Sequence, residues 1–406
     1  MEKLLFSFLL SLTICYSANA QWSPTGYNET MVVEDLHFLN GSVGFAAGYH
    51  QVYKTVDAGN TWTEISNNLF INGPTCVWFF NETTGIIAGK SGGGELQVGK
   101  TFNGGTTWTV TTLSGMGFNS PNQILFLDDN VGYIACREGK IFKTINQGSS
   151  WTQLPTGTTN DITSIHFPSA TVGYATFMYS DKLIKTINGG NSWSQISLDQ
   201  LREVNHVYFT DINTGYLACG NSTILKTSDG GNSWMPFSFG TSDIFYDIKF
   251  TSSQYGYAVG GGGTIAQTSN AGNTWYTVPS GLGTLNNLLY SIDFPSADTG
   301  YVATLGGGPG IILKTFNGGG FTSVEEISDN NDFVIYPNPV NDVLYLSTNN
   351  FLNYKTYYII DQLGRVLLSG ELTEKTTKVD INGLTGGVYF LQFGEQKKQL
   401  MKIIKH

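Results

Sequence analysis

The octapeptide TVDAGNTW, Thr55 to Trp62, sets an Asp among small residues, with a Gly two places on and a Thr-Trp pair closing it. An Asp so placed is a candidate metal ligand or catalytic acid, and equally a turn former. A second candidate set is Asp35, Asp247 and Asp293, with Glu34 beside the first of them. Two carboxylates held at a suitable separation are what glycoside hydrolysis needs.

The octapeptide recurs. TFNGGTTW (Thr101–Trp108), TINQGSSW (Thr144–Trp151), TINGGNSW (Thr186–Trp193), TSDGGNSW (Thr227–Trp234) and TSNAGNTW (Thr268–Trp275) follow it, and TFNGGGFT (Thr315–Thr322) is a copy without the Trp. Successive Trp residues lie 46, 43, 42, 41 and 41 positions apart. Each copy has the same lead-in: an apolar strand ending in Phe, a polar turn, a Gly-aromatic strand, a Gly-rich turn and a strand ending near Thr. DLHFLNGSVGFAAGYHQVYKT (Asp35–Thr55) shows it. Four short strands per period of about 40–45 residues are the mark of a β-propeller blade. The chain is therefore expected to be all-β: a seven-bladed β-propeller closed by an N-terminal strand, followed by a small Ig-like β-sandwich. Trp22 lies one period before Trp62. The seventh copy lacks its Trp, so the segment at Trp22 is expected to supply the outer strand of the last blade.

The box motif resembles the Asp-box (BNR) repeat of sialidase-like and photosystem II assembly factor-like propellers. The acidic position reads Asp57, Asn103, Asn146, Asn188, Asp229, Asn270 and Asn317. A metal site or general acid needs the carboxylate charge; a turn needs only a side-chain oxygen that accepts backbone N–H bonds. The prevalence of Asn selects the turn. Gly59, Gly105, Gly148, Gly190, Gly231, Gly272 and Gly319 then supply the turn glycine. Trp62, Trp108, Trp151, Trp193, Trp234 and Trp275 supply the ring packed across each blade.

Residues 1–20, MEKLLFSFLLSLTICYSANA, read as a secretory signal peptide with cleavage before Gln21. The apolar run is short for a membrane anchor, and LTIC lacks the small residues that precede a lipidated Cys. Residues 21–322 form the propeller, 323–332 an acidic linker and 333–406 a terminal domain. The terminal motifs resemble the type A sorting domain of the type IX secretion system. They are YPNPVND with Tyr336, Pro337, Asn338 and Pro339; DQLGRVL with Gly364 and Arg365; DINGLTGGVYFLQF with Gly387, Val388 and Tyr389; and KIIKH with Lys402 and Lys405. The resemblance implies Sec export, passage across the outer membrane, removal of the tail, and release or attachment at the cell surface. The implied partner is the type IX machinery.

Composition narrows the function. Residues 21–323 carry twenty acidic and twelve basic side chains, a surface that repels nucleic-acid phosphates. Cys76, Cys136 and Cys219 are an odd, widely spaced set that suits neither a disulfide framework nor zinc. No cofactor motif and no transmembrane segment stands out. A sialidase, which the resemblance brings in, needs three arginines around its substrate carboxylate. The propeller holds two, Arg137 and Arg202. Aligned on the blade repeat, the inner strands give one ring of Asp35, Cys76, Gln123, Ser164, His206, Asp247 and Ser291. The next ring is His37, Trp78, Leu125, His166, Tyr208, Lys249 and Asp293. Asp293 and Lys249 are expected either to serve a catalytic sector or to pair as a buried salt bridge, and Asp35 either to act there or to line a hydrated channel. The leading expectation is a non-catalytic binding or scaffold propeller for a protein or glycan ligand. Its binding residues are expected among Asp35, His206 and Asp247 at the channel and Glu95, Arg137, Tyr179 and Asp181 on the loops. The competing reading is a secreted polysaccharide hydrolase.

Overall fold

A computed structural model describes residues 22–27, 32–48, 51–66, 73–113, 120–198, 203–240, 243–282, 288–305, 310–318, 333–337, 340–348, 356–361, 366–372, 374–393 and 399–405. The signal-peptide segment, the linker, Gly319, Asn338, Pro339, Gly364, Arg365 and Arg202 lie outside these residues. The chain divides into two compact units, Met1–Gly320 and Phe321–His406.

In the first unit the described strands form seven four-stranded antiparallel sheets. Their innermost strands are Asp35–Phe38, Pro74–Phe79, Pro121–Phe126, Ile162–His166, Val204–Phe209, Phe245–Phe250 and Leu288–Asp293. Each of these touches the next, and the last touches the first. The sheets, blades 1 to 7, thus close a ring with no free face at either end. Inner strands alternate buried and half-buried residues, one face packing between blades and the other facing the channel. Second strands such as Gly132–Cys136 are buried throughout, because both of their faces meet other sheets.

The Gly that opens each second strand is there for room. A Cβ on Gly44 would stand 2.2 Å from the Phe38 ring, which lies flat over it. That Phe is enclosed from two more directions. In blade 5, Phe209 stacks on Tyr174 of the preceding blade at 4.0 Å and meets its own Trp234 edge-on at 6.1 Å. Stacked and edge-to-face pairs of this kind add to area burial.

Blade 7 takes its outer strand from the other end of the chain. Ser23–Pro24 pairs antiparallel with Ile312–Thr315, Ser23 opposite Lys314 and Pro24 opposite Leu313. The Thr25 N–H donates to Ile312 O and the Gly26 N–H to Gly59 O, both at 2.8 Å. Trp22 is fully buried. It meets Phe294 at 6.0 Å and 86°, the geometry of Trp62 on Phe38 (6.0 Å, 90°) and Trp108 on Phe79 (6.1 Å, 87°). Trp22 therefore fills in blade 7 the place that the box Trp fills elsewhere.

The second unit is a two-sheet sandwich. Phe333–Tyr336, Val343–Thr348 and Thr376–Asp380 make one sheet; Val366–Glu371, Thr356–Ile360, Gly387–Phe393 and Gln399–Lys405 make the other in that order. Leu344, Leu346 and Val379 from the first sheet and Ile359, Leu391 and Ile403 from the second share one core. The Tyr389 hydroxyl donates to Thr385 O at 2.6 Å, bracing the corner before its strand. Lys405 is buried, donates to Asn341 O and lies 3.7 Å from Asp342, tying the terminal strand to the YPNPVND segment. No described helix is long and apolar enough to cross a membrane.

Truncating a buried Trp to Ala costs roughly 3–5 kcal/mol. Trp22→Ala should lose that much in urea unfolding, on a par with Trp108→Ala. A loss below about 1 kcal/mol, the scale of an ordinary surface change, would contradict ring closure through Trp22.

Candidate functional site

The box motif is a closed hydrogen-bond unit. In the first copy the Thr55 hydroxyl accepts the Gly59 N–H and donates to Asp57 Oδ1, which also accepts the Thr61 N–H. The Thr61 hydroxyl donates to Asp57 Oδ2 at 2.6 Å. In the Asn copies the last bond reverses: Asn188 Nδ2 donates to the Ser192 hydroxyl at 2.8 Å. A hydroxyl serves as donor or acceptor by rotation, so Asp and Asn interchange without loss. The bonds from Thr61 hold the Asp57 carboxyl below its ordinary range. Those from Ser233 hold Asp229 at about 2. Gly231 takes φ +81°, where a side chain is strained.

Most boxes are also gripped by the blade before them. Lys143 Nζ and the Tyr133 hydroxyl both donate to Gly189 O; Lys185 Nζ and the Tyr174 hydroxyl both donate to Gly230 O. Lys314 closes the circle by donating to Ala58 O at 2.9 Å. The Lys before the box Thr and the Tyr of the Gly-aromatic pair are thus inter-blade ties, a role the sequence reading did not assign.

The channel rings are built from ties of the same kind. At the Asp35 level a side-chain oxygen accepts an N–H from the next blade. Asp35 Oδ2 accepts Val77 N–H at 2.9 Å, Gln123 Oε1 accepts Ile165 N–H at 2.7 Å, and Ser164 Oγ accepts Val207 N–H at 3.3 Å. Asp247 Oδ2 accepts Ile292 N–H at 2.9 Å and Ser291 Oγ accepts Leu36 N–H at 3.3 Å. His206 has Nε2 3.3 Å from Gln123 Nε2 and Nδ1 3.3 Å from Asp247 Oδ1. With Nε2 as acceptor, the ring proton sits on Nδ1, near the carboxylate but without a hydrogen-bond partner.

One level deeper, His37 Nε2 donates to Phe79 O, His166 Nε2 to Phe209 O and the Tyr208 hydroxyl to Phe250 O. Lys249 and Asp293 form an ion pair at 2.9 Å, and Asp293 Oδ2 accepts the Phe38 N–H at 2.7 Å. Of the two expectations for Asp293, the geometry is that of the salt bridge. Burial works against the Lys249 ammonium, and Asp293 more than offsets it, so the amine stays charged. Burial pushes His206 and His37 down, and His166 to about 3, leaving all three neutral at pH 7. Burial raises Asp35 to about 8, against the bond from Val77 and with help from the charges of Asp247 and Asp293.

At the mouth the pattern changes. The inner strands of blades 2 to 7 each carry a bulge immediately before the Asp35 level, and bulges re-aim side chains. The residues at this level are Glu34, Thr75, Asn122, Thr163, Asn205, Tyr246 and Tyr290. Thr75 donates to Pro121 O, Asn122 to Ile162 O and Asn205 to Phe245 O, each in the next blade. Thr163 bonds the Thr176 hydroxyl at 2.8 Å. Glu34, Tyr246 and Tyr290, in blades 1, 6 and 7, make no side-chain hydrogen bond among the described residues. Their positions adjoin around the ring, and the Tyr246 and Tyr290 rings lie 5.5 Å apart. Burial raises the Glu34 carboxyl, opposed by the charges of Lys90 and Arg137. Burial also raises the Tyr290 phenol, to about 12, with Glu34 adding to it.

Among the loop residues singled out from sequence, Tyr179 is 79% exposed at φ +54°. Arg137 lies 3.9 Å from Asp161. The Glu95 N–H donates to Ser91 Oγ within its turn, and Asp181 O accepts the N–H of Leu198 at the end of the outer strand of blade 4. Tyr246 and Tyr290 escaped the sequence reading. Their signal is the residue just before Asp247 and just before Ser291, where every other blade places a small polar side chain or Glu34.

Residues 15–177 and 232–331 match the family model of photosynthesis system II assembly factor YCF48. Residues 334–406 match the secretion system C-terminal sorting domain. No curated protein matches the sequence. Among solved structures, YCF48 bound to a D1 peptide is 19% identical, with 73% of this chain and 94% of that one aligned at a TM-score of 0.61. YCF48 from Cyanidioschyzon merolae is also 19% identical, over 72% and 98% of the two chains at 0.59. The GH74 xyloglucanase from Xanthomonas campestris is 12% identical, over 80% of this chain and 59% of that one at 0.57. At these identities the likeness is one of fold.

A carboxyl raised from 3.8 to about 8 on folding stabilises the fold fully below 3.8, and that stability is lost as pH rises through about 8. Asp35→Asn keeps an acceptor for Val77 and removes the titration. Between pH 5 and pH 9 the wild type should lose more thermal stability than Asp35→Asn; equal losses would mean that Asp35 is ionised throughout.

Proposed function

Because the chain belongs to the photosynthesis system II assembly factor YCF48 family, we propose that its ring is a non-catalytic binding platform for a peptide or protein, working outside the cell. The C-terminal residues are a secretion system sorting domain of the type IX kind. The route that accords with this tail is cleavage of residues 1–20, passage across the outer membrane with the tail as address, and release or attachment at the surface. The similar YCF48 structure holds a D1 peptide. What carries over is peptide binding on this fold, not that peptide.

The single observation that supports the platform is the mouth. Around one level of the ring the polar side chains are tied to neighbouring groups, except at Glu34, Tyr246 and Tyr290, which keep their bonding capacity. The deeper carboxylates suit catalysis poorly. Asp35 and Asp247 hold backbone N–H groups of the next blade, and Asp293 is in an ion pair. A hydrolase needs one carboxyl free to give its proton and another free to attack or activate water.

Incubation of the secreted protein with a glycan panel should yield no new reducing ends, while affinity capture from surface extracts should retain a partner that Tyr290→Ala loses. Reducing ends that appear with wild type and vanish with Asp247→Ala would establish the hydrolase instead.

A further inference from the structure

The partnerless mouth sector has a definite chemistry. It joins one carboxylate, Glu34, to two phenol rings, Tyr246 and Tyr290, whose centroids lie 5.5 Å apart with the planes tilted by 40°. Beneath it, on either side of blade 7, stand Asp247 and Asp35, the latter a carboxyl that burial keeps protonated at pH 7. The nearest imidazole, His206, carries no compensating charge at pH 7. The deeper Lys249 is already spent on Asp293 at 2.9 Å. A carboxylate beside paired aromatic rings attracts a positive group by Coulomb attraction and by the ring quadrupole together. The basic residues of the rim, Lys90 and Arg137, stand on blades 2 and 3, where their charges reach Glu34 without bonding it, and Arg137 lies 3.9 Å from Asp161.

We propose that the Glu34–Tyr246–Tyr290 sector is a subsite for a cationic side chain, Lys or Arg, of a bound peptide. The inference rests on the platform reading and specifies what the mouth takes. The carboxylate accepts the ammonium or guanidinium hydrogens, and the Tyr faces cover the aliphatic stem. This explains why these three positions depart from the small, bonded Thr and Asn residues at the same level. A tie to the next blade would consume the groups that the ligand needs.

The test is fluorescence anisotropy with the mature full chain and three probes. They are a labelled hexapeptide alternating Gly with Arg and Lys, its counterpart with Glu at the charged places, and labelled cellohexaose. The basic peptide should bind and the other two should not. Glu34→Gln and Tyr290→Ala should each weaken binding about tenfold or more, the effect of one lost charge-assisted bond. Glu82→Gln, which changes net charge equally at an exposed residue in the turn after the inner strand of blade 2, should change it less than about twofold. Equal weakening by Glu82→Gln would reduce the effect to the overall negative charge and overturn the subsite. Binding of the acidic peptide, lost in Tyr290→Ala, would overturn the cationic assignment while leaving the platform standing. Binding of cellohexaose alone, or of no probe, would overturn both. Circular dichroism of each variant separates lost binding from lost fold.

Discussion

The hydrogen bond from one blade to the next is the interaction on which the ring depends. A four-stranded sheet alone exposes both faces, and packing seven of them in a circle buries those faces but fixes no register between blades. Here the register is fixed at several levels at once: Lys and Tyr grip the next box turn, and channel side chains hold the next inner strand. Each bond is modest, about 1 kcal/mol net. Repetition around the ring makes the set large. Ser23–Pro24 and Trp22 apply the same logic at the seam, where the chain ends must meet.

Such a scheme consumes polar groups, and this decides how the candidate site is read. An Asp that holds a backbone N–H of the neighbouring blade is part of the frame. A position at the same level that holds nothing is the departure. Natural sequences break a local rule where something other than stability is served. Blades 6, 7 and 1 break it together, with two aromatic residues and one acid where the other blades place Thr and Asn. The Glu34 carboxyl, raised by burial and near enough to Tyr290 to act on its phenol, is an acceptor with no hydrogen-bond partner among the described residues, which a ligand can satisfy.

Much of the fold is legible in the sequence because it is local and repeated. Asn103, Asn146 and Asn188 beside Asp57 and Asp229 show that the box needs an oxygen and not a charge, and the reversed bond to Thr or Ser is the reason. The lost Trp of the seventh copy points to Trp22. The ties from Lys185 and Tyr174 are not legible, since they join residues 45 and 56 positions apart and show only as a recurrent Lys and Tyr. The mouth is hidden for a different reason. Strict alternation places side chains every second residue, and the bulges before Cys76, Gln123, Ser164, His206, Asp247 and Ser291 insert one more. Counting by two from Asp247 passes over Tyr246.

The most direct measurement of the account is the unfolding free energy of paired substitutions at the mouth level. Asn122→Ala and Asn205→Ala break ties and should each lose about 1 kcal/mol or more, whereas Glu34→Gln, Tyr246→Phe and Tyr290→Phe should stay within about 0.5 kcal/mol of wild type. Losses of the same size at Glu34, Tyr246 and Tyr290 would show that these groups also hold the ring together, and the distinction between frame and site would fall.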